Sequence, residues 1–433
     1  MTRATHAIRD RLRLPLILTT AALLAIAGCG GDDDDNGGGE GSGGAPTVSE
    51  ARAEGDVTWC IGKDTTGAFS TVVENFNKAN PDANVKLLEL PESADEQRRL
   101  QIQRLRAESP QCDVLGMDVI WTAEYAAQDW LYDVTKAVED RKQEFIPSTL
   151  ETARYEGRYW AVPFNTNAGF IYWRTDQAGE QPPESWEVLY ERAGETDGFV
   201  YQGARYEGLT VNFLELLYSA GGSVVNDDAS RATADTAEVR NVLQFMRRGI
   251  EDGAVPKAIT TYMEEESRRA FEAGRATFMR NWPYAYALAK KDSGIADDFE
   301  VTTFPSYRGN KGAGVLGGYD LAISAYSKNP RGALAFIEFA TTPEQQVTLA
   351  TEASLPPVLS EVYTSREVQR ALPFATELRD AVAQARPRPV TPVYPQVSEA
   401  IYRNVYAALQ GDKSPARAAK DMNDGIQRAL ETF

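Results

Sequence analysis

Apolar and polar positions change period along this chain, and each change marks an element. Residues 56–62 (DVTWCIG), 84–90 and 113–117 (DVLGM) are short apolar runs bounded by acids, Gly or Pro, which predicts strands. Between the first two, Val72, Val73 and Phe76 fall at helical spacing within 71–78. Between the second and third, Ser93 and Glu96 have the spacing of a capping box ahead of a charged helix to Glu108. A further helix carries Trp121 and Tyr125. Strands alternating with helices predict a parallel α/β sheet. Such sheets receive ligands beyond the C-terminal ends of their strands, where Lys63, Asp64 and Asp118 fall.

The pattern then changes partner. Residues 157–163 read as a strand ended by Pro163, and Phe164-Asn165-Thr166-Asn167 leads into a second strand over 168–174 (AGFIYWR). Pro182 to Trp186 introduces a helix, and helices follow over 212–220, 237–249 and 264–273. Residues 312–320 (GAGVLGGYD) read as flexible backbone and 321–324 as a short strand. Helices are predicted over 330–340, 343–350, 396–408 and 416–430. Residues 386–395 (RPRPVTPVYP) hold four prolines in ten residues, which predicts a stiff extended segment.

Residues 271–286 (FEAGRATFMRNWPYAY) combine these signals most densely. Gly274 sits where a helix would stop, 276–279 read as a short buried strand, and Pro283 opens the next helix without needing an N–H. Trp282, fixed between strand and helix, is either a core residue or a flat wall suited to stacking on a sugar ring.

The first residues alter the setting. Arg3, Arg9, Arg11 and Arg13 precede an apolar run of 14 residues over 14–27, too short to span a bilayer comfortably. The run ends Ile26-Ala27-Gly28-Cys29, which resembles a bacterial lipobox and implies cleavage before Cys29 and lipidation of its sulfur. Residues 30–55 are rich in Gly, Ser and Asp and read as a flexible tether. The formal net charge is −18 and becomes more negative without the basic leader, so nucleic acid is not an expected partner. The single histidine, His6, lies in the leader; Ser-His-Asp and Cys-His catalysis and His-ligated metals are excluded for a processed chain. Cys60 and Cys112 remain, either as a disulfide or as two buried thiols on neighbouring strands.

The order and spacing of 158–163 (RYWAVP), 171–176 (IYWRTD), 271–279 with Trp282, Gly317-Gly318, 333–339 ahead of Thr342-Pro343-Glu344, and 388–392 (RPVTP) resemble the bacterial extracellular solute-binding proteins of sugar-binding family 1. Asn281-Trp282-Pro283 and 388–392 are similar to its trehalose/maltose-binding branch. The resemblance implies a type II periplasmic-binding-protein fold: two α/β lobes, each a mainly parallel sheet flanked by helices, with a sugar cleft between them. It implies a leader over 1–28, a tether over 29–55, one lobe from 56–165 and 322–375, and the other from 166–321 and 376–433. Crossings between lobes are expected near 164–168, 318–324 and 370–390. Asp64 and Asp118 match sugar-binding carboxylates of the first lobe. Asn167 stands where relatives often carry Asp. Glu264, or Glu265 beside it, Trp282, Gly318, Tyr319 and Arg388, with Arg386 as runner-up, complete the implied ligand set. The implied partners are a sugar, the permease subunits of an ABC importer, and the membrane through Cys29, for a monomer without cofactor or metal outside the cytoplasm.

The chemistry is consistent with this implication. Carboxylates, Asn and Arg form paired hydrogen bonds with vicinal hydroxyls, and Trp covers the C–H face of a sugar. A secreted glycoside hydrolase is the competing class, since it too uses paired carboxylates and aromatics. A receptor for a polyol, amino sugar, oligosaccharide or glycerol phosphoester is the other alternative.

Overall fold

The computed structural model describes residues 45–432, so the leader, Cys29 and most of the tether lie outside the described residues. The strands are β1 (Gly55–Gly62), β2 (Ala83–Leu90), β3 (Val114–Asp118), β4 (Arg154–Tyr155), β5 (Arg158–Tyr159), β6 (Val162–Asn167), β7 (Phe170–Arg174), β8 (Phe199–Val200), β9 (Phe278–Asn281), β10 (Phe299–Thr302) and β11 (Gly317–Ile323). They form a five-stranded sheet in the order β2-β1-β3-β11-β6, a four-stranded sheet in the order β10-β7-β9-β8, and the small β4-β5 ribbon. The parallel pairing expected from the sequence holds for β1, β2 and β3, but β11 is inserted antiparallel between β3 and β6. In the second sheet only β8 and β9 pair in parallel.

The first sheet explains why its apolar runs are nearly continuous. Trp59, Cys60, Ile61, Val114, Leu115 and Met117 are all buried, because helices cover both faces. Trp59 packs against Phe69, Phe164 and Phe336, from three different stretches of chain. Cys60 and Cys112 form a disulfide with a Cα–Cα distance of 5.7 Å, which settles the alternative the sequence left open.

Several local expectations are corrected. Ser93 precedes the helix Ala94–Arg106 but its side chain makes no cap hydrogen bond. Pro163 does not end its strand. It sits within β6, an edge strand, opposite the place where β11 shifts register between Tyr319 and Asp320, so its missing N–H costs no regular ladder bond. Of the stretch 312–320 expected to be flexible backbone, Gly317 to Asp320 are strand, since β11 begins at Gly317, while Gly312 and Gly314 stay outside it. Gly318 takes φ +119°, and a Cβ there would lie 2.2 Å from the Asn165 carbonyl oxygen, so the bare residue allows close pairing with β6. The strand before Trp282 is Phe278–Asn281, two residues later than the apolar run suggests. Residues at the end of the expected tether are docked: Val48 is buried and its N–H donates to the Asp133 carbonyl.

The chain passes from the first sheet to the second at 168–169, returns over 303–316, and leaves again over 385–393. Residues 166–167, 317–321 and 376–384 of the helix Ala375–Gln384, expected on the second lobe, therefore join the first. That helix packs on Pro147–Thr152, beneath β6. Two crossing segments pair with each other: the Arg386 N–H donates to the Gly314 carbonyl at 2.9 Å, and the Leu316 N–H to the Arg386 carbonyl at 2.9 Å. The final helices, Tyr394–Leu409 and Pro415–Leu430, pack on Glu207–Ser219 and Ala237–Glu251 in the second lobe.

Candidate functional site

A cavity of about 180 Å³ opens where the strand ends of the two lobes meet. Asp64, Asp118, Asn167, Glu264, Trp282, Gly318, Tyr319 and Arg388 all border it. The fold brings them together by a common device: each stands at a strand end, at a helix start, or on a crossing segment. Asp64 follows β1 and Asp118 ends β3, while Asn167 ends β6 just before the crossing. Glu264 begins a helix, and Trp282 lies between β9 and the helix Tyr284–Asp292.

Their hydrogen bonds divide them into committed and available groups. Asp64 accepts from the Thr66 N–H at 2.8 Å, the Thr66 hydroxyl at 2.5 Å and the Phe69 N–H at 2.9 Å, so much of its capacity caps the helix Ala68–Ala79. Arg388 is buried. It donates at 2.8 Å to Asp118 on the first lobe, at 2.8 Å to Glu207 on the second, and at 3.4 Å to the Leu316 carbonyl of another crossing. Burial alone would lower the pKa of this guanidinium, but Asp118, Tyr394 and Glu207 outweigh it and raise the value. Arg386 lies instead over the Tyr218 ring, 4.0 Å from its centroid, and does not border the cavity.

Other groups are open to a ligand. The side-chain oxygen of Asn167 has no partner, and both amide atoms of Asn165, which is 2% exposed, have none. A buried amide without partners is costly, and a ligand supplying a donor and an acceptor would relieve that cost. Glu264 accepts the Tyr206 hydroxyl at 2.6 Å; burial pushes its carboxyl up, and this hydrogen bond opposes the shift. Glu265, weighed beside Glu264 from sequence, also borders the cavity but is held by Arg268 at 2.7 Å and the Tyr284 hydroxyl at 2.8 Å.

Trp282 is half-buried. The Arg280 guanidinium lies 3.9 Å from its ring centroid, and its backbone is pinned by Asn281 and by the Tyr172 hydroxyl. A Cβ on Gly317 would come within 3.0 Å of the indole, so this glycine gives the ring its place. Trp121 is buried in the core, whereas Tyr319 borders the cavity and donates to Gln97 at 3.3 Å.

Sequence reasoning missed Glu207, Tyr206 and Tyr284 and read Asn165 only as part of a connection. Glu207 was hidden because its helix begins at Glu207 rather than at Asn212. The acid at a helix start was the signal available. Tyr284 lies two residues beyond Trp282 in the same dense stretch.

Residues 71–376 match the family described as bacterial extracellular solute-binding protein, and the chain belongs to that family. It is 35% identical over 392 residues to a probable ABC transporter-binding protein of Deinococcus radiodurans, covering 84% of this chain and 93% of that one. It is 25% identical over 317 residues to the maltotriose-binding protein of Pyrococcus abyssi, covering 70% and 65% of the two chains. Among solved structures, maltose-bound MalE3 of T. maritima superposes with a TM-score of 0.82 at 35% identity, over 86% of this chain and 99% of that one. The match to MalE3 over nearly its whole length gives this chain the two-lobed binding-protein fold.

Proposed function

We propose that this chain is the extracytoplasmic sugar receptor of an ABC importer, capturing a disaccharide of the maltose or trehalose type and presenting it to the permease subunits. The observation that carries the reading is the unpartnered amide of Asn165 and the unpartnered side-chain oxygen of Asn167, on a cavity wall that also holds Trp282. A sugar ring is the ligand that satisfies both halves. Its hydroxyls pair with the amides and with Asp118, and its C–H face lies against the indole face not taken by Arg280. The maltose named for MalE3 and the maltotriose named for the Pyrococcus relative support a glucoside. Closure of the lobes about the crossing segments completes the site.

Calorimetric titration of the processed chain with maltose and trehalose tests the reading. Saturable binding with unchanged sugar is expected, and a ligand that binds only the folded state raises the melting temperature as well. Absence of binding to any mono- or disaccharide would overturn it. Cys29, outside the described residues, is proposed as the lipid anchor. Wild type should partition into the detergent phase and Cys29→Ala should not; identical partitioning rules the anchor out.

A further inference from the structure

The charges around the cavity do not balance. Six carboxylates border it against two cations, Lys63 and Arg388. Arg388 is consumed by Asp118 and Glu207, and Glu265 has its own partner in Arg268. That leaves three without an ion-pair partner among the described residues: Asp64, already held by Thr66 and the Phe69 N–H, Glu92 beside it on the first lobe, and Glu264 on the second. Burial pushes the carboxyl of Glu264 up, the Tyr206 hydroxyl and the charge of Arg280 oppose it, and the negative charge of Glu92 adds a smaller upward push. Glu92 is pushed up in turn by burial and by Glu265 and Glu266, with Lys63 and Arg269 opposing only in part. The two lobes thus present like charges to each other at this end of the cleft, and closing it brings them nearer. A positive charge held between them removes the cost from both sides. The unpartnered Asn165 amide independently marks the same cavity as built for a polar ligand.

We propose that the cavity selects a glycoside whose ring carries a protonated amine, with Glu264 reading the charge and Glu92 closing over it from the opposite lobe. The inference rests on the sugar-receptor reading and narrows its substrate class. Tyr206 donates to Oε2 of Glu264 at 2.6 Å, and a carboxylate has further lone pairs with which to accept from an ammonium group. An anionic sugar meets unpaired carboxylates, with the exposed Lys63 and the one unpartnered nitrogen of Arg388, Nε, to answer it.

The test is a charge series on one frame: maltose and trehalose, their monoamino analogues, and their 6-phosphates, titrated calorimetrically into the processed chain. At least one amino analogue should bind about tenfold more tightly than its neutral parent, the scale of a charge-assisted hydrogen bond, and the phosphates more weakly than either. Glu264→Gln should bring the ratio of amino to neutral affinity towards one, and Glu92→Gln, at an exposed position, should lower it partway without touching the fold. Neutral parents binding as tightly as every amino analogue, or a phosphate binding as tightly as its parent, overturns the inference and leaves the receptor reading standing. Failure of all members of the series to bind overturns both.

Discussion

Arg280 and Arg388 are both buried, and each binds a glutamate on the helix Glu207–Ser219, yet they answer to different parts of the molecule. Arg280 stands on β9. It is bound by both oxygens of Glu215 and by Gln202 at 2.9 Å, with both members of the pair 1% exposed. Gly169 is bare at this point because a Cβ would come within 2.6 Å of both partners. Everything that Arg280 touches belongs to the second lobe or to the crossing beneath it. Arg388 stands on a crossing segment and joins Glu207 on the second lobe to Asp118 on the first, whose side chain is still 19% exposed. The first pair is a floor under Trp282, and the second ties the lobes together beside the ligand. Chemically similar pairs thus differ in what they do because one is confined to a lobe and the other spans the cleft.

The largest expected effect breaks that comparison at its floor. Arg280→Gln leaves Glu215 buried without its cation, which should cost about 3–5 kcal/mol of folding stability in the ligand-free protein. Arg388→Gln should cost less, roughly 1–3 kcal/mol, since Asp118 turns to water and Glu207 keeps the Tyr394 hydroxyl at 2.7 Å and the Ser398 hydroxyl. The order should reverse for sugar affinity relative to stability lost. Urea melts and calorimetry on both variants measure the two quantities; equal stability losses would mean that spanning the cleft makes no difference.

Trp282→Ala sharpens the comparison from above the floor. The indole rests on Arg280, so its removal takes away a ligand wall while the Arg280–Glu215 pair survives. Affinity for the best sugar should fall by about 2 kcal/mol, as for a buried aromatic anchor. Stability should fall by less than the 3–5 kcal/mol of a core Trp→Ala change, since the ring is only half-buried. Unchanged affinity with a large stability loss would return Trp282 to the core.

Much of this arrangement was legible before the fold, and the limits have physical causes. Asp64, Asp118 and Trp282 could be placed because strand ends and helix starts carry local signals in apolar runs, glycines and prolines. Gly317 to Asp320 was misread as loose backbone because glycine's local preference is overruled by pairing with β3 and β6, contacts more than a hundred residues away in sequence. Arg388 and Asp118 were both found, but their pairing, and Glu207 as the third member, were not. No local pattern reports that Asp118, Glu207 and Arg388 converge, since each comes from a different part of the chain. Asn165 was passed over for a related reason: an amide looks ordinary in sequence, and only burial without a partner makes it conspicuous.

The smallest expected effect tests whether Arg388 has only two carboxylates to answer. Asp320 lies on β11, is 1% exposed, and accepts the Thr152 hydroxyl at 3.2 Å and the Thr122 hydroxyl at 3.4 Å. Burial pushes its carboxyl up to about 8; the hydrogen bond from Thr152 opposes this and the charge of Asp118 reinforces it. The folded chain therefore holds the Asp320 proton where the unfolded chain, with a value near 3.9, has released it. The stability this group contributes is fully present below about pH 4 and is lost as pH rises through about 8. Asp320→Asn keeps the shape and removes the titration, so the variant should gain on wild type with rising pH. The gain should be about 1 kcal/mol or more larger at pH 8 than at pH 5, read from urea melts at the two values. A gain independent of pH would mean that Asp320 is ionised throughout and adds a third negative charge near Asp118. Arg388 would then be shared among three carboxylates, and its tie between the lobes would be weaker than its two short hydrogen bonds imply.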